Sequence, residues 1–435
     1  MDKAQSNSPV FAVPEPALVP PNGYPSSQVE IEPSKMFLIK KSLTTYKGKF
    51  GADAPTYDAS QGDGGASLPG VPHELLDRAN ELQKKQGTGY DQPYGADVFR
   101  KATAEQYWKF DAATGYGPQN ITAAEGGRDA LLKAYQAMTM FGTGRIGDAL
   151  IVSRVPWISY KWGPYSIGMN VLLAPGEEAH AWEYTEDGIA AAIEYAKACG
   201  GRKVTGLIIT SPDNPTGNTL PMARQIALAR KALELGIPYV LFDWIYHQIT
   251  TGATANINEV LNAFEPAQRE RLMFLDGLTK SLGASNLRGA HLIASKKVID
   301  YIVSIASHAV IPNFYAQAVA IAAYEKGYAT AARSIIEPTN ASREVMRKFL
   351  KEHNYRAIIG EGGYYAFIDC APAIQRLGLA DSIQFGQHLA ENFGVAVIPG
   401  SFFSDAGKNW IRFSYALPPE KTKKAVIRFD EGFKA

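Results

Sequence analysis

The chain has 435 residues, 46% of them hydrophobic and 20% charged, with a formal net charge of +1. That length suits one large domain with a smaller one, and the near-zero charge argues against nucleic acid or an anionic membrane surface as partner. No apolar run is long enough to span a bilayer, the N-terminus does not read as a secretory signal, and Cys199 and Cys370 stand far apart outside any CxxC pair, so a cytoplasmic protein without a disulfide or zinc scaffold is expected.

Residues 1 to about 35 are rich in Pro, Ser and Asn. They read either as a solvated leader or as an extended arm that packs on a partner subunit through residues such as Phe11 and Tyr24. From about residue 120 to 300, helical and strand patterns alternate. "GGRDALLKAYQAMTMF" places apolar residues at helical spacing behind two glycines, and "GDALIVSRVPW" is a short apolar run closed by proline. "GIAAAIEYAKACGG" reads as a helix that ends at glycine, and "KVTGLIITSPDNPTG" as a β-branched run that stops at a turn. "MARQIALARKALELG" follows as an amphipathic helix, then "IPYVLFDWIYH" and "RLMFLDGLTKS" as two more buried runs. Short apolar runs alternating with helices predict an α/β three-layer sandwich with a mostly parallel central sheet. Toward the C-terminus the character changes. "YEKGYATAARSIIEPTNASREVMRKFLKEHN" reads as one long helix, "EGGYYAFIDC", "VAVIPGSFF" and "WIRFSYA" as strands, and "EKTKKAVIRFDEGF" as a last helix. This order predicts a smaller α+β domain.

The residues that carry chemistry follow the parallel runs. Asn214 lies in the loop after "KVTGLIIT", Asp243 ends "IPYVLF", and Lys280 lies in the loop after "RLMFL". In an open parallel sheet, ligands bind outside the carboxyl ends of the strands, so these three are expected on one edge. The glycines of "GGRD" open a helix whose free N–H groups and dipole favour a phosphate, and Arg288 can pair with the same anion. A lysine kept from bulk water can form a Schiff base with an aldehyde. A buried aspartate can hold a pyridinium nitrogen protonated, and Asn214 with Tyr246 can bond a ring oxygen. Trp157 offers an aromatic face. These parts suit pyridoxal phosphate.

On these motifs the sequence, over roughly residues 55 to 430, resembles a fold-type I pyridoxal-phosphate-dependent aminotransferase of the class I/II family, related to the aspartate and aromatic aminotransferases. "SPDNPTGNTL" is similar to the family's Asn-Pro-x-Gly loop and puts Asn214 beside the ring oxygen. "DWIY" is similar to its Asp-x-x-Tyr, giving Asp243 to the ring nitrogen and Tyr246 to the ring oxygen. "TKSLGASNLRG" is similar to its lysine-loop-arginine segment, with Lys280 as the imine lysine and Thr279 and Arg288 toward the phosphate. The resemblance also gives Gly127 to the phosphate helix, and Arg128 directly after it reads either as a second phosphate cation or as a side chain pointing to solvent. Arg412 in "NWIRFSYA" would grip the substrate α-carboxylate, and Gly62 in "DASQGDGG" would lie against it. Tyr90 in "GYDQPYGADVFRKA" would reach the phosphate of a neighbouring subunit, which implies a homodimer with shared active sites. The implied organisation is an N-terminal extension over 1–50, a small domain from 51–95 and 326–435, and a large cofactor-binding domain over 96–325.

Several positions depart from the family. Arg128 stands where many relatives carry Ser or Thr, Gly277 replaces a phosphate-binding serine, Asn286 replaces a glycine, and Trp244 replaces an acidic residue. The reaction implied is ping-pong transamination, in which Lys280 moves the α-proton and a keto acid leaves. Dicarboxylate-specific relatives bring an arginine from the partner near 304–313, but "SIASHAVIPN" contains no Lys or Arg. A neutral, aromatic or unusual amino acid is therefore expected rather than aspartate. Trp244, Tyr364 and Tyr365 are expected as apolar walls, Tyr160 as packing, and His247 and His291 as structural, while His308, in a segment that resembles one lining the neighbouring subunit's pocket, either touches substrate or stands clear of it. The alternatives are a lyase, cyclase or oxidase on the same fold, and a ligand-sensing module without catalysis.

Overall fold

The computed structural model describes residues 11–12, 35, 38–199 and 201–435. Tyr24 and most of the proline-rich leader lie outside the described residues. The central sheet runs, edge to edge, Phe11–Ala12, Asn170–Leu173, Ala149–Val152, Val204–Thr210, Tyr239–Asp243, Leu272–Gly277, Gly289–Ile293 and Ile121–Glu125. The pairs from Asn170–Leu173 through Leu272–Gly277 are parallel, and the outer pairs are antiparallel. Phe11–Ala12 pairs with this chain's own Leu173 and Leu172.

Both faces of the sheet are buried, which is why its strands read as continuous apolar runs. On one face Leu150, Ile208, Leu241, Met273 and Leu292 pack against Ala130, Leu131, Ala134 and Met138 of the helix Gly126–Met140. On the other, Ile151, Leu207, Ile209, Val240 and Phe274 pack against the helices Glu186–Ala198 and Met222–Glu234. Each fully buried aliphatic side chain contributes about 1.5–3 kcal/mol, so the sheet is a stiff platform for whatever stands on its carboxyl edge.

A second, antiparallel sheet runs Ala357–Ile358, Tyr365–Asp369, Trp410–Ser414 and Ile398–Pro399. The helices Arg333–Glu352, Ser382–Phe393 and Pro419–Lys434 cover it. Residues 38–50, read from the sequence as part of an extension, form the helix Leu38–Phe50, whose Ile39 and Leu43 are buried with Ala390, Phe402 and Trp410. The long helix predicted over 324–354 is broken. Gly327, at φ +84°, ends the helix Phe314–Lys326, and a new one begins at Arg333. The strands Ile121–Glu125, Asn170–Leu173 and Gly289–Ile293 were not expected from the sequence; they are short, and the first is alanine-rich, with little β propensity. Among the described residues no helix is long and apolar enough to cross a membrane.

Candidate active site

Strand register gathers the site. Thr210 pairs with Asp243 and Asp243 with Leu275, so three parallel strands end level. Beside them Gly277 pairs with Ala290, and Gly289 with Glu125. That antiparallel edge brings Arg288, the start of the helix Gly126–Met140 and the segment after Gly277 to one place. Lys280 sits there in a one-turn helix, Leu278–Ser281, rather than in the loop expected. Arg412 arrives from the second sheet, in the middle of Trp410–Ser414. Together these residues line a cavity of about 560 Å³, which also contains Gly62, Gly127, Arg128, Trp157, Asn214, Tyr246 and Thr279. Tyr90 does not line it and is 100% exposed in the single chain.

Lys280 is buried. Its Nζ donates to the Gly62 carbonyl at 2.5 Å and lies 5.4 Å from the Tyr246 ring centre. The Tyr364 hydroxyl donates to its backbone carbonyl. Loss of hydration lowers the amine to about 8; Asp63 and Asp243 act the other way, while Arg412 and Arg128 lower it further. Asp243 is 2% exposed, and burial pushes its carboxyl up to about 6. Hydrogen bonds from the Tyr160 hydroxyl at 2.5 Å and the Ile245 N–H at 3.0 Å oppose that rise. Tyr160, expected only to pack, thus holds one Asp243 oxygen, and Thr210 donates to it in turn at 3.1 Å. Its position three residues after Trp157, on the same helical face, is the signal that could have placed it here.

The cations of the cavity have no carboxylate partners. Among the described residues Arg128, Arg288 and Arg412 form no ion pair. Arg128, exposed in the single chain, lies 5.7 Å from the Trp157 ring centre, and its guanidinium is held below its ordinary value by partial loss of hydration and then by the charge of Arg288. Arg288 donates to the carbonyls of Ser285 and Glu125 at 2.8 and 3.3 Å. Its φ of +59°, unusual for a side chain, marks backbone held out of its preferred region at a site. Gly126 has φ +78°, and a Cβ there would lie 2.4 Å from the Arg288 guanidinium. Arg412 donates to Asn214 Oδ1 and to the Ser60 carbonyl, each at 2.7 Å, and lies 4.3 Å from the Tyr365 ring centre. The buried Arg412 Nε and Thr279 Oγ1 lack partners. Buried donors are normally satisfied, so two without partners, on residues that line one cavity with Arg128 and Arg288, mark it as a place for an anion.

Other expectations shift. Trp244 does not reach the cavity; it is fully buried on the far side of the sheet, donating to Gln225 at 2.9 Å. Tyr364 holds the Lys280 backbone instead of lining the cavity, while Tyr365 does line it and bonds Tyr246 at 2.8 Å. His308 is exposed and outside the cavity. His247 and His291 are structural. His247 Nδ1 accepts from the Ala255 N–H, leaving Nε2 to donate to Asp276 at 3.1 Å; His291 Nε2 accepts from Trp108 at 2.8 Å. Gly277 has a steric reason: a Cβ would lie 2.7 Å from the Gly289 carbonyl and 2.8 Å from the Ala290 Cβ, so a serine does not fit. Thr279, two residues on, carries the free hydroxyl. Ser60, Gln61, Asp63 and Ser285 also line the cavity and were not foreseen.

The model of the family described as "Aminotransferase class I and II" matches residues 58–429. The chain is 26% identical over 367 residues to an aspartate aminotransferase of Bacillus subtilis, covering 82% of this chain and 87% of the relative. It is 24% identical to aromatic-amino-acid aminotransferase 2 of Thermococcus litoralis, covering 87% and 94%. Among solved structures, an aspartate aminotransferase of Thermotoga maritima aligns with a TM-score of 0.76 at 21% identity, covering 94% of this chain and 99% of that one. A double mutant of the Thermus thermophilus aspartate aminotransferase aligns at 0.77 and 23% identity, covering 92% and 97%. The fold is thus that of the fold-type I enzymes, as expected from the sequence.

Two outcomes are expected from this geometry. Covalent capture of pyridoxal phosphate by the cofactor-free protein should speed up with pH through about 8 and level off above it, because the neutral Lys280 amine is the nucleophile. Stopped-flow absorbance measures the rate, and borohydride fixation should mark the Lys280 peptide in the native chain and leave Lys280→Ala unmarked. Tyr160→Phe removes a donor that favours ionised Asp243. The acid limb of kcat/KM should move to higher pH, with a fall of about tenfold or more, since a hydrogen bond to a charged group contributes about 1.5–3 kcal/mol.

Proposed function

We infer that this chain, which belongs to the aminotransferase class I and II family, transaminates an L-amino acid whose side chain carries no carboxylate, with a keto acid as return partner. Members of this family use pyridoxal phosphate. The residues suit that group: Thr279 Oγ1 and the Arg128–Arg288 pair await an anion at a helix N-terminus, and Asp243 is a buried carboxylate lining the same cavity. Thr279, Arg128, Arg288 and the Gly127 N–H would hold the phosphate, Asp243 the ring nitrogen, Asn214 and Tyr246 the ring oxygen, and Trp157 the ring face. When bound, pyridoxal phosphate supplies an aldehyde that condenses with amines and an electron sink for the α-carbon.

The chain's own residues do the rest. Arg412, rigid between Tyr365 and Phe403, takes the substrate α-carboxylate bidentately with Asn214 beside it. Lys280, as the free amine, removes the α-proton and returns it. Its lowered pKa keeps a useful share of base near neutral pH. Asp243 stays ionised through Tyr160 and Ile245. Burial holds Tyr246 protonated and a donor. Tyr90, fully exposed in the single chain, would complete the phosphate site of a second copy, making a homodimer.

The substrate reading rests on the allocation of cations. Arg128 and Arg288 belong to the phosphate and Arg412 to the α-carboxylate, and residues 304–313 contain no Lys or Arg. A side-chain carboxylate would then have no bidentate partner. Anaerobic addition of single amino acids to the holoenzyme is expected to bleach its visible band, and a keto acid to restore it. L-Aspartate should require at least about tenfold more than the best substrate, the equivalent of one lost charge-assisted hydrogen bond. Product without bleaching would favour a lyase, cyclase or oxidase.

A further inference from the structure

Asp63 is the one carboxylate besides Asp243 among the residues that line the cavity. Its Oδ1 accepts from the Gly65 N–H at 3.0 Å and its Oδ2 from Ser285 Oγ at 2.6 Å. Among the described residues no arginine, lysine or histidine forms an ion pair with it. A carboxylate has about four lone-pair sites, so two acceptor positions stay open. Lys280 Nζ sits on the carbonyl of Gly62, the residue just before, and Asp63 acts on that amine's acidity.

The position of Asp63 is fixed by groups other than its own charge. The Gly65 backbone packs so closely on Gly283 that a Cβ would lie 2.0 Å from the Gly283 carbonyl. Lys280 holds the Gly62 carbonyl and Arg412 that of Ser60. The segment 60–65 is therefore pinned across the cavity with Asp63 on it. The charges of the loaded site can then be followed. The phosphate takes Arg128 and Arg288, the α-carboxylate takes Arg412, the ring nitrogen takes Asp243, and Lys280 meets the bound substrate as the neutral amine, charged only after it has taken the α-proton. Asp63 is left without a counter-charge.

We propose that Asp63 selects the substrate by taking the cationic end of its side chain, so that the preferred amino donor is a basic amino acid with an amino or guanidino group. This rests on the transaminase reading above and narrows it. The same charge repels a side-chain carboxylate, so one residue both attracts the right substrate and rejects the dicarboxylates. Pinning from three sides pre-organises the carboxylate, and the charge needs no reorganisation on binding.

The test is equilibrium titration of the holoenzyme's visible band with L-ornithine, L-lysine, L-arginine, L-norleucine and L-aspartate, in the native protein and in Asp63→Asn. Asparagine keeps an oxygen for the Gly65 N–H and removes the charge. At least one basic amino acid is expected to half-saturate about tenfold or more below norleucine, and Asp63→Asn to shrink that ratio by about tenfold. Norleucine or aspartate half-saturating below all three basic amino acids would overturn the proposal. So would Asp63→Asn weakening every amino acid in the same proportion, which is the mark of a cap and nothing more. Should that variant fail to hold its cofactor, the native ranking decides alone. If no amino acid perturbs the band, the transaminase reading falls too; if norleucine does and the basic ones do not, only the role of Asp63 falls.

Discussion

A charge taken out of water without a partner is expensive, and this protein holds several of them in one cavity. Arg412 is 1% exposed, its Nε bonds nothing, and among the described residues no carboxylate pairs with it. Lys280 and Asp243 share the cavity without touching, each shifted toward its neutral form by burial. Arg128 and Arg288 sit close enough for one to depress the other. Such an arrangement persists only if the surrounding frame is stiffer than the repulsion within it. The sheet with both faces buried supplies that stiffness, and the second sheet locks Arg412 between Tyr365 and Phe403. The stored imbalance is the function: each unsatisfied group is a preset contact for an anion, a ring nitrogen or an amine.

The frame meets the chemistry through register. Because Thr210, Asp243 and Leu275 end level, Tyr160 reaches Thr210 and Asp243 at once. Because Gly277 faces Ala290 and Glu125 faces Gly289, Arg288 and the start of the helix Gly126–Met140 converge on the segment of Lys280. Crowding forces glycine at 277, and Thr279, two residues on, carries a hydroxyl without a partner.

Much of this was legible from order alone. Asn214, Asp243 and Lys280 each follow a buried apolar run that stops at a polar turn, and a parallel sheet puts such turns on one edge. What was not legible depended on which face a side chain takes or on approach across the fold. Trp244 follows Asp243, and the alternation that turns the aspartate toward the cavity turns the tryptophan into the opposite core. The spacing from Trp157 gives the face that Tyr160 takes, but its bond to Asp243 depends on strand register across the sheet. Asp63 and Ser285 are 222 residues apart, and the contact that makes Asp63 a feature of the cavity exists only in the folded chain. The break at Gly327 was missed because the helical periodicity continues on both sides of it.

A phosphate site built from Thr279, Arg128 and Arg288 would stand independently of the covalent bond to Lys280. Calorimetric titration of Lys280→Ala, freed of cofactor, with pyridoxal phosphate and with pyridoxal tests it directly. Saturable uptake of the phosphorylated form is expected, with pyridoxal at least about a hundredfold weaker, as two or more charge-assisted hydrogen bonds would make it. Equal affinities for the two, or no uptake of either, would contradict it and leave those cations without the role given to them here.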